Sequence, residues 1–161
     1  MRNADSTSYY EKRDALSHDW VKLITKLNLI PILIPNSLLD IQSYLKSIKP
    51  NIIIFTGGED ILVEDIHNQE KNPRSYTENK LLKYAINLDI PVIGVCRGMQ
   101  FINAYFRGFK NIKLHSLEKD NLHINSIHKI EIKNDFYSQN IIETNSFHRN
   151  IINYNNIAKN L

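Results

Sequence analysis

The chain has 161 residues, 42% of them apolar and 23% charged, with 20 basic against 17 acidic residues and a net charge of +3. That balance fits a single domain over residues 1–161 with one sizeable core, and it excludes a disordered chain. The charges are scattered with no dense Lys/Arg cluster, so nucleic-acid binding is not expected, and the longest apolar runs are strand-sized, too short to span a bilayer. The opening "MRNADSTSYYEKRD" has no apolar core, so no signal peptide is expected. The lone cysteine, Cys96, cannot form an intrachain disulfide, which fits a reducing cytoplasm.

Taken in chain order, residues 8–27 read as an amphipathic helix, with Leu16, Trp20, Leu23, Ile24 and Leu27 on one stripe. "LIPILIP" (29–35) reads as a short buried strand, its prolines marking the ends. "SLLDIQSYLKSI" (37–48) is helical with Ser37 as N-cap. "NIIIFTGG" (51–58) is the clearest strand, β-branched and closed by two glycines, and residues 59–74 are polar and irregular. "SYTE" (75–78) has the form of a capping box, so a helix is expected from Ser75 to about Asn87, with Glu78 reaching back to the Ser75 amide. "IPVIGVC" is the next buried strand, and residues 98–106 are helical again. Downstream, "HKIEIK" (128–133) and "NIIETNS" (140–146) alternate like half-exposed strands. Alternating helices and continuously apolar strands imply an α/β domain with a mostly parallel sheet. In such sheets ligands gather beyond the carboxyl ends of the strands, where "TGGED" and "CRG" fall.

Gly94-Val95-Cys96-Arg97-Gly98 has the G-x-nucleophile-x-G form of a nucleophile elbow between a strand and a helix. Glycines two residues either side leave room for a tight turn against the adjoining helix. The thiol would face the first turn of that helix, whose exposed amides and dipole favour a thiolate, and Arg97 would add positive charge. The Arg97 amide would face an oxyanion formed at the sulfur, and Gly57-Gly58 would leave further backbone N–H groups approachable. Gln100, one helical turn on from Cys96, can face the same pocket. His148 in "TNSFHRN" is a candidate acid/base or a polar substrate contact. Each has an ordinary structural alternative: a buried thiol, a Gly-Gly turn, an exposed amide, a structural imidazole.

Together these pieces resemble the class I glutamine amidotransferase-like superfamily, and within it the γ-glutamyl hydrolase branch. "GVCRGMQFIN" is similar to that branch's nucleophile segment, "TGGED" to its oxyanion loop and "YYEKRDALSHDW" to its first helix. "RSYTE" resembles an Arg-Asp-x-x-Glu stretch with Ser75 in place of the Asp, and "TNSFH" an Asn-Ser-x-His stretch. The opening helix, "PILIP" and "GGED" are also similar to bacterial hydrolases of γ-glutamyl-CDP-amidate.

The resemblance implies a flavodoxin-like three-layer domain and a glutamyl-thioester mechanism. Cys96 would be the nucleophile, and the Gly58 and Arg97 amides the oxyanion hole. Gly57, Gln100, Asn145, Ser146 and His148 would hold a small-molecule γ-glutamyl substrate. No metal or organic cofactor is implied, nor a nucleic-acid or membrane partner, and a homodimer is open. The family pattern begins with a strand before the first helix and continues to a His-Pro-Glu segment carrying the base histidine. This sequence shows neither, so an incomplete domain is expected. Two alternatives to a free-standing hydrolase stay open: a glutaminase that delivers ammonia to a synthetase, and an inactive remnant.

Overall fold

A computed structural model of the chain describes residues 1–5, 11–61, 66–107, 115–116, 124–132, 141–148, 150–159 and 161. The chain divides into two compact units, Met1–Lys110 and Asn111–Lys159, with Leu161 in the second. No helix among the described residues is long and apolar enough to cross a membrane.

The first unit opens with a pair of antiparallel strands where a helix was expected. Strand β1 (Arg2–Asp5) pairs antiparallel with β2 (Lys12–Ala15), and helix α1 runs only from His18 to Lys26. The apolar stripe read over residues 8–27 starts only at Leu16, and Ser17 caps the helix by accepting from the Asp19 amide. Residues 8–10 of that stretch lie outside the described residues, and Lys12–Ala15 are strand. Asp14 instead takes both the backbone and side-chain N–H of Asn36, at 2.8 and 2.5 Å.

Helix α2 (Ile41–Ile48) starts later than expected, because Asp40 and not Ser37 is its N-cap: Asp40 accepts from the Ser43 amide at 3.0 Å and the Ser43 hydroxyl at 2.6 Å. Strand β3 (Ile53–Phe55) lies parallel to β4 (Val92–Gly94), with Ile53 opposite Val92, Ile54 opposite Ile93 and Phe55 opposite Gly94. Helices α3 (Pro73–Asn87) and α4 (Arg97–Phe106) complete the α/β arrangement. The core joins Ile41 and Leu45 of α2, Ile53 and Phe55 of β3, Leu81, Leu82 and Ala85 of α3, and Phe101 of α4. The Phe55 and Phe101 rings meet edge to face at 5.8 Å.

Residues 29–35, read as a strand, form none. Extended chain becomes a strand only where a neighbour takes up its backbone groups. Here these residues pair with no strand, and Ile30, Ile32 and Ile34 line, together with Ile52, Ile54 and Thr56, a cavity of about 510 Å³. Ile30 is left 86% exposed.

In the second unit, β5 (His115–Ser116) pairs with β8 (Asn150–Ile151), and β6 (Ile124–Glu131) with β7 (Ile141–Phe147), all antiparallel. Burial along β7 alternates between exposed and covered residues, the pattern read from its sequence.

Candidate functional site

Because β3 and β4 run parallel and in register, their carboxyl ends stop side by side at Phe55 and Gly94. The two following loops, residues 56–59 and 95–97, therefore leave the sheet at one place. The Val95 amide donates to Phe55 O at 2.9 Å and ties the second loop to the end of the first strand.

Cys96 occupies the turn between β4 and α4 and is exposed. Its φ of 54° and ψ of −111° lie outside the regions a side chain favours. A conformation of this kind costs a non-glycine residue about 1–3 kcal/mol and persists only where its surroundings enforce it. The surroundings here are tight. A Cβ on Gly94 would stand 2.7 Å from Gly98 C and Met99 N, and one on Gly98 would overlap Phe55 O. The glycines let helix α4 start directly against the end of β3. Gly57 lies beside the thiol: a Cβ there would lie 3.8 Å from Cys96 Sγ.

The two amides read as oxyanion donors, those of Gly58 and Arg97, carry no hydrogen bond to any described residue. Cys96 is the N-cap of α4 but makes no side-chain capping bond. Gly98 donates to Val95 O at 3.0 Å and Gln100 to Cys96 O at 3.2 Å, which closes the turn. The Gln100 side chain is buried on α4.

The Arg97 guanidinium, expected to add positive charge beside the thiol, is instead buried and paired. It donates to Glu78 Oε2 and, at 2.8 Å, to Ser75 Oγ. Glu78 is thereby also placed differently from the capping box read at "SYTE". Helix α3 is capped by Asn72, whose side chain accepts from the Ser75 amide at 3.2 Å, with Pro73 as the first helical residue. Glu78 lies one turn deeper and takes Arg74 Nε on Oε1 at 2.9 Å. Arg74 is fully buried and reaches Glu59 at 2.8 Å, Thr56 O at 2.7 Å and Gly57 O at 3.1 Å. Arg74, Arg97, Glu78 and Glu59 make a set of two cations and two anions. Two buried arginines on one carboxylate are tolerated because the charges balance and the guanidinium forks find acceptors.

This cluster is what residue-by-residue reading missed. The signals were present: Arg74 and Glu78 stand at the i,i+4 spacing of a helical ion pair, and Asn72-Pro73 is a stronger helix start than Ser75.

Asn145, Ser146 and His148 belong to the second unit. Asn145 is exposed, Ser146 is buried within β7 opposite Ser126, and His148 is half-buried just past the strand end.

A protein-family model described as Peptidase C26 matches residues 1–161. The chain is 33% identical over 102 residues to a γ-glutamyl-CDP-amidate hydrolase of Campylobacter jejuni, covering 62% of this chain and 49% of that protein. It is 36% identical over 104 residues to a glutamine amidotransferase-like protein of Rickettsia prowazekii, covering 58% of this chain and 36% of that one. The chain thus spans half or less of the length of these curated relatives. With the family model matched from end to end, the chain belongs to the Peptidase C26 family of class I glutamine amidotransferase-like proteins.

Proposed function

We propose that this chain carries the acyl-transfer site of a cysteine-dependent hydrolase of γ-glutamyl amides, built on a flavodoxin-like three-layer domain. One observation carries the reading. An exposed thiol is held at a strained turn against Gly57, and the amides of Gly58 and Arg97, on the two loops that meet there, have no acceptor among the described residues.

In this reading the Cys96 thiolate attacks the side-chain amide carbon of a γ-glutamyl compound. A carbon–sulfur bond forms and the carbonyl pair moves onto oxygen, where the Gly58 and Arg97 N–H groups stabilise it. Collapse restores the carbonyl and breaks the carbon–nitrogen bond, and the amine leaves with a proton from water. A second water then cleaves the thioester, giving glutamate, the thiolate and two protons, one of which neutralises the hydroxide left when the first water protonated the amine. Gly57 leaves the thiol open on the substrate side, and Gln100 helps shape the pocket floor. The named activity of the Campylobacter relative favours γ-glutamyl-CDP-amidate as the substrate. The likeness to a glutamine amidotransferase-like protein keeps a second reading open, in which glutamine is the donor and a partner takes the ammonia.

The test is release of p-nitroaniline from γ-glutamyl-p-nitroanilide by the full chain. Replacing Cys96 by Ala should reduce it to the uncatalysed rate. Hydrolysis that survives the substitution unchanged would overturn the proposal. Ammonia release from free glutamine that rises on adding a synthetase partner would favour the second reading.

A further inference from the structure

We infer that Arg74 and Glu78 are positioning residues for acyl transfer: together they aim the Gly58 N–H and hold it at a fixed spacing from the Arg97 amide. The inference rests on the Cys96 site proposed above but not on its γ-glutamyl specificity.

The argument begins with one peptide unit. Arg74 Nη2 donates to Gly57 O at 3.1 Å. The described residues include no cis peptide bond, and in a trans peptide the carbonyl and the following N–H point in opposite directions. A guanidinium that draws the Gly57 carbonyl inward therefore turns the Gly58 N–H outward. The same holds one unit earlier, where Nη2 takes Thr56 O at 2.7 Å and so turns the Gly57 N–H. A Cβ on Gly58 would overlap Arg74 Nη1, so the guanidinium fills the space beneath this loop. On the same side Nη1 holds Glu59 at 2.8 Å. Loop 56–59 is thus fixed at three points, Thr56 O, Gly57 O and the Glu59 carboxylate, by one buried, planar donor. A lysine, with a single ammonium in place of the fork, could not reproduce this.

The other amide is set by the neighbouring arginine. Glu78 accepts Arg74 on one carboxylate oxygen and Arg97 on the other. Ser75, one turn back on α3, anchors the second Arg97 nitrogen at 2.8 Å. One carboxylate therefore ties the loop after β3 to the turn after β4, across the gap where the two donors would have to converge. Hydrogen-bond donors stabilise a developing oxyanion only while they stay aimed at it.

The experiment compares two reactions of the same sulfur in the full chain. Acylation of Cys96 by p-nitrophenyl acetate passes through a tetrahedral oxyanion and needs the amides. Alkylation by iodoacetamide forms a carbon–sulfur bond with loss of iodide and develops no oxyanion. In Glu78→Gln, whose side chain can no longer accept on both sides, acylation should fall by about 10²–10³-fold, the loss typical of one oxyanion donor. Alkylation should stay within about twofold of the parent, the signature of an intact thiol facing a mis-set oxyanion hole. Glu59→Gln removes the negative charge from a part-exposed partner of Arg74 and weakens that pair without opening a buried hole. It should lower the ratio of acylation to alkylation in the same direction by a smaller factor, and it serves where Glu78→Gln does not fold.

Equal loss of both reactions would reduce the cluster to a structural role and overturn the inference, as would an unchanged ratio in both variants. A parent chain that alkylates but is not acylated would overturn it too. If the parent is acylated by the ester, the ratio shifts as stated and γ-glutamyl-p-nitroanilide is untouched, the positioning role stands and only the substrate assignment falls.

Discussion

Four of the residues around the thiol do their work by what they lack. Gly57, Gly58, Gly94 and Gly98 each meet a neighbour where a side chain would stand, but the neighbours differ in kind. At Gly98 a methyl would overlap the Phe55 carbonyl, which is backbone and cannot give way. Gly98→Ala should therefore cost at or above the top of the ~1–3 kcal/mol range for overpacked cores. At Gly57 a methyl would sit 3.5 Å from Cys96 Cβ and 3.8 Å from Sγ, ordinary contact distances. Gly57→Ala should fold with stability within about 0.5 kcal/mol of the parent. It should nevertheless slow iodoacetamide alkylation severalfold, because the methyl covers one approach to the sulfur. Chemical denaturation and alkylation rates on the two variants check both statements. The spacing of glycines about Cys96 was legible in the sequence, since steric need at a tight turn is local. The destination of the Arg97 guanidinium was not, since it depends on Glu78 and Ser75 from a helix some twenty residues upstream.

The helices show where local signals compete. The sequence reading starts α3 at a capping box on Ser75, but the helix starts at the Asn72-Pro73 pair, which that reading passed over. Asn72 can accept from the Ser75 amide while Pro73 needs no N–H partner, which frees Glu78 for the two arginines. Asn72→Ala should destabilise the chain by about 1 kcal/mol, read from its urea midpoint. At α2 the choice between Ser37 and Asp40 falls to Asp40, which accepts from both the amide and the hydroxyl of Ser43. The Ser43 hydroxyl first, and then its amide, hold the Asp40 carboxyl below the ordinary carboxylate range. A depressed folded value means the cap's charged form contributes above the unfolded carboxyl's titration, near pH 4, and that contribution is lost as pH falls through the folded value. Asp40→Asn should lower the melting temperature near neutral pH and make progressively less difference on acidification below about pH 4. A difference that grows on acidification would contradict the assignment.

At the scale of the whole chain, the strands that the sequence placed correctly are those whose backbone finds a partner, as β3 does in β4 some 39 residues on. Strands β3 and β4, with the helices after them, form one β–α–β unit whose apolar residues bury one another, and they hold the candidate site. Residues 29–35 carry an equally strong strand pattern and form none, because pattern supplies a face but not a neighbour. Their isoleucines line, with Ile52 and Ile54, a cavity of about 510 Å³. Stability should follow that distinction. Ile30→Lys, at an 86% exposed position, should change unfolding free energy by no more than about 0.5 kcal/mol. Leu45→Ala, at a fully buried one, should cost about 2–5 kcal/mol.

The account stands on acyl transfer to one sulfur. The most direct measurement is the intact mass of the chain, acid-quenched during reaction with γ-glutamyl-p-nitroanilide and followed by peptide mapping. One glutamyl group should appear in thioester linkage on the Cys96 peptide and be absent from the Cys96→Ala variant. p-Nitroaniline release with no adduct on that peptide, at a rate indifferent to Cys96, would contradict it.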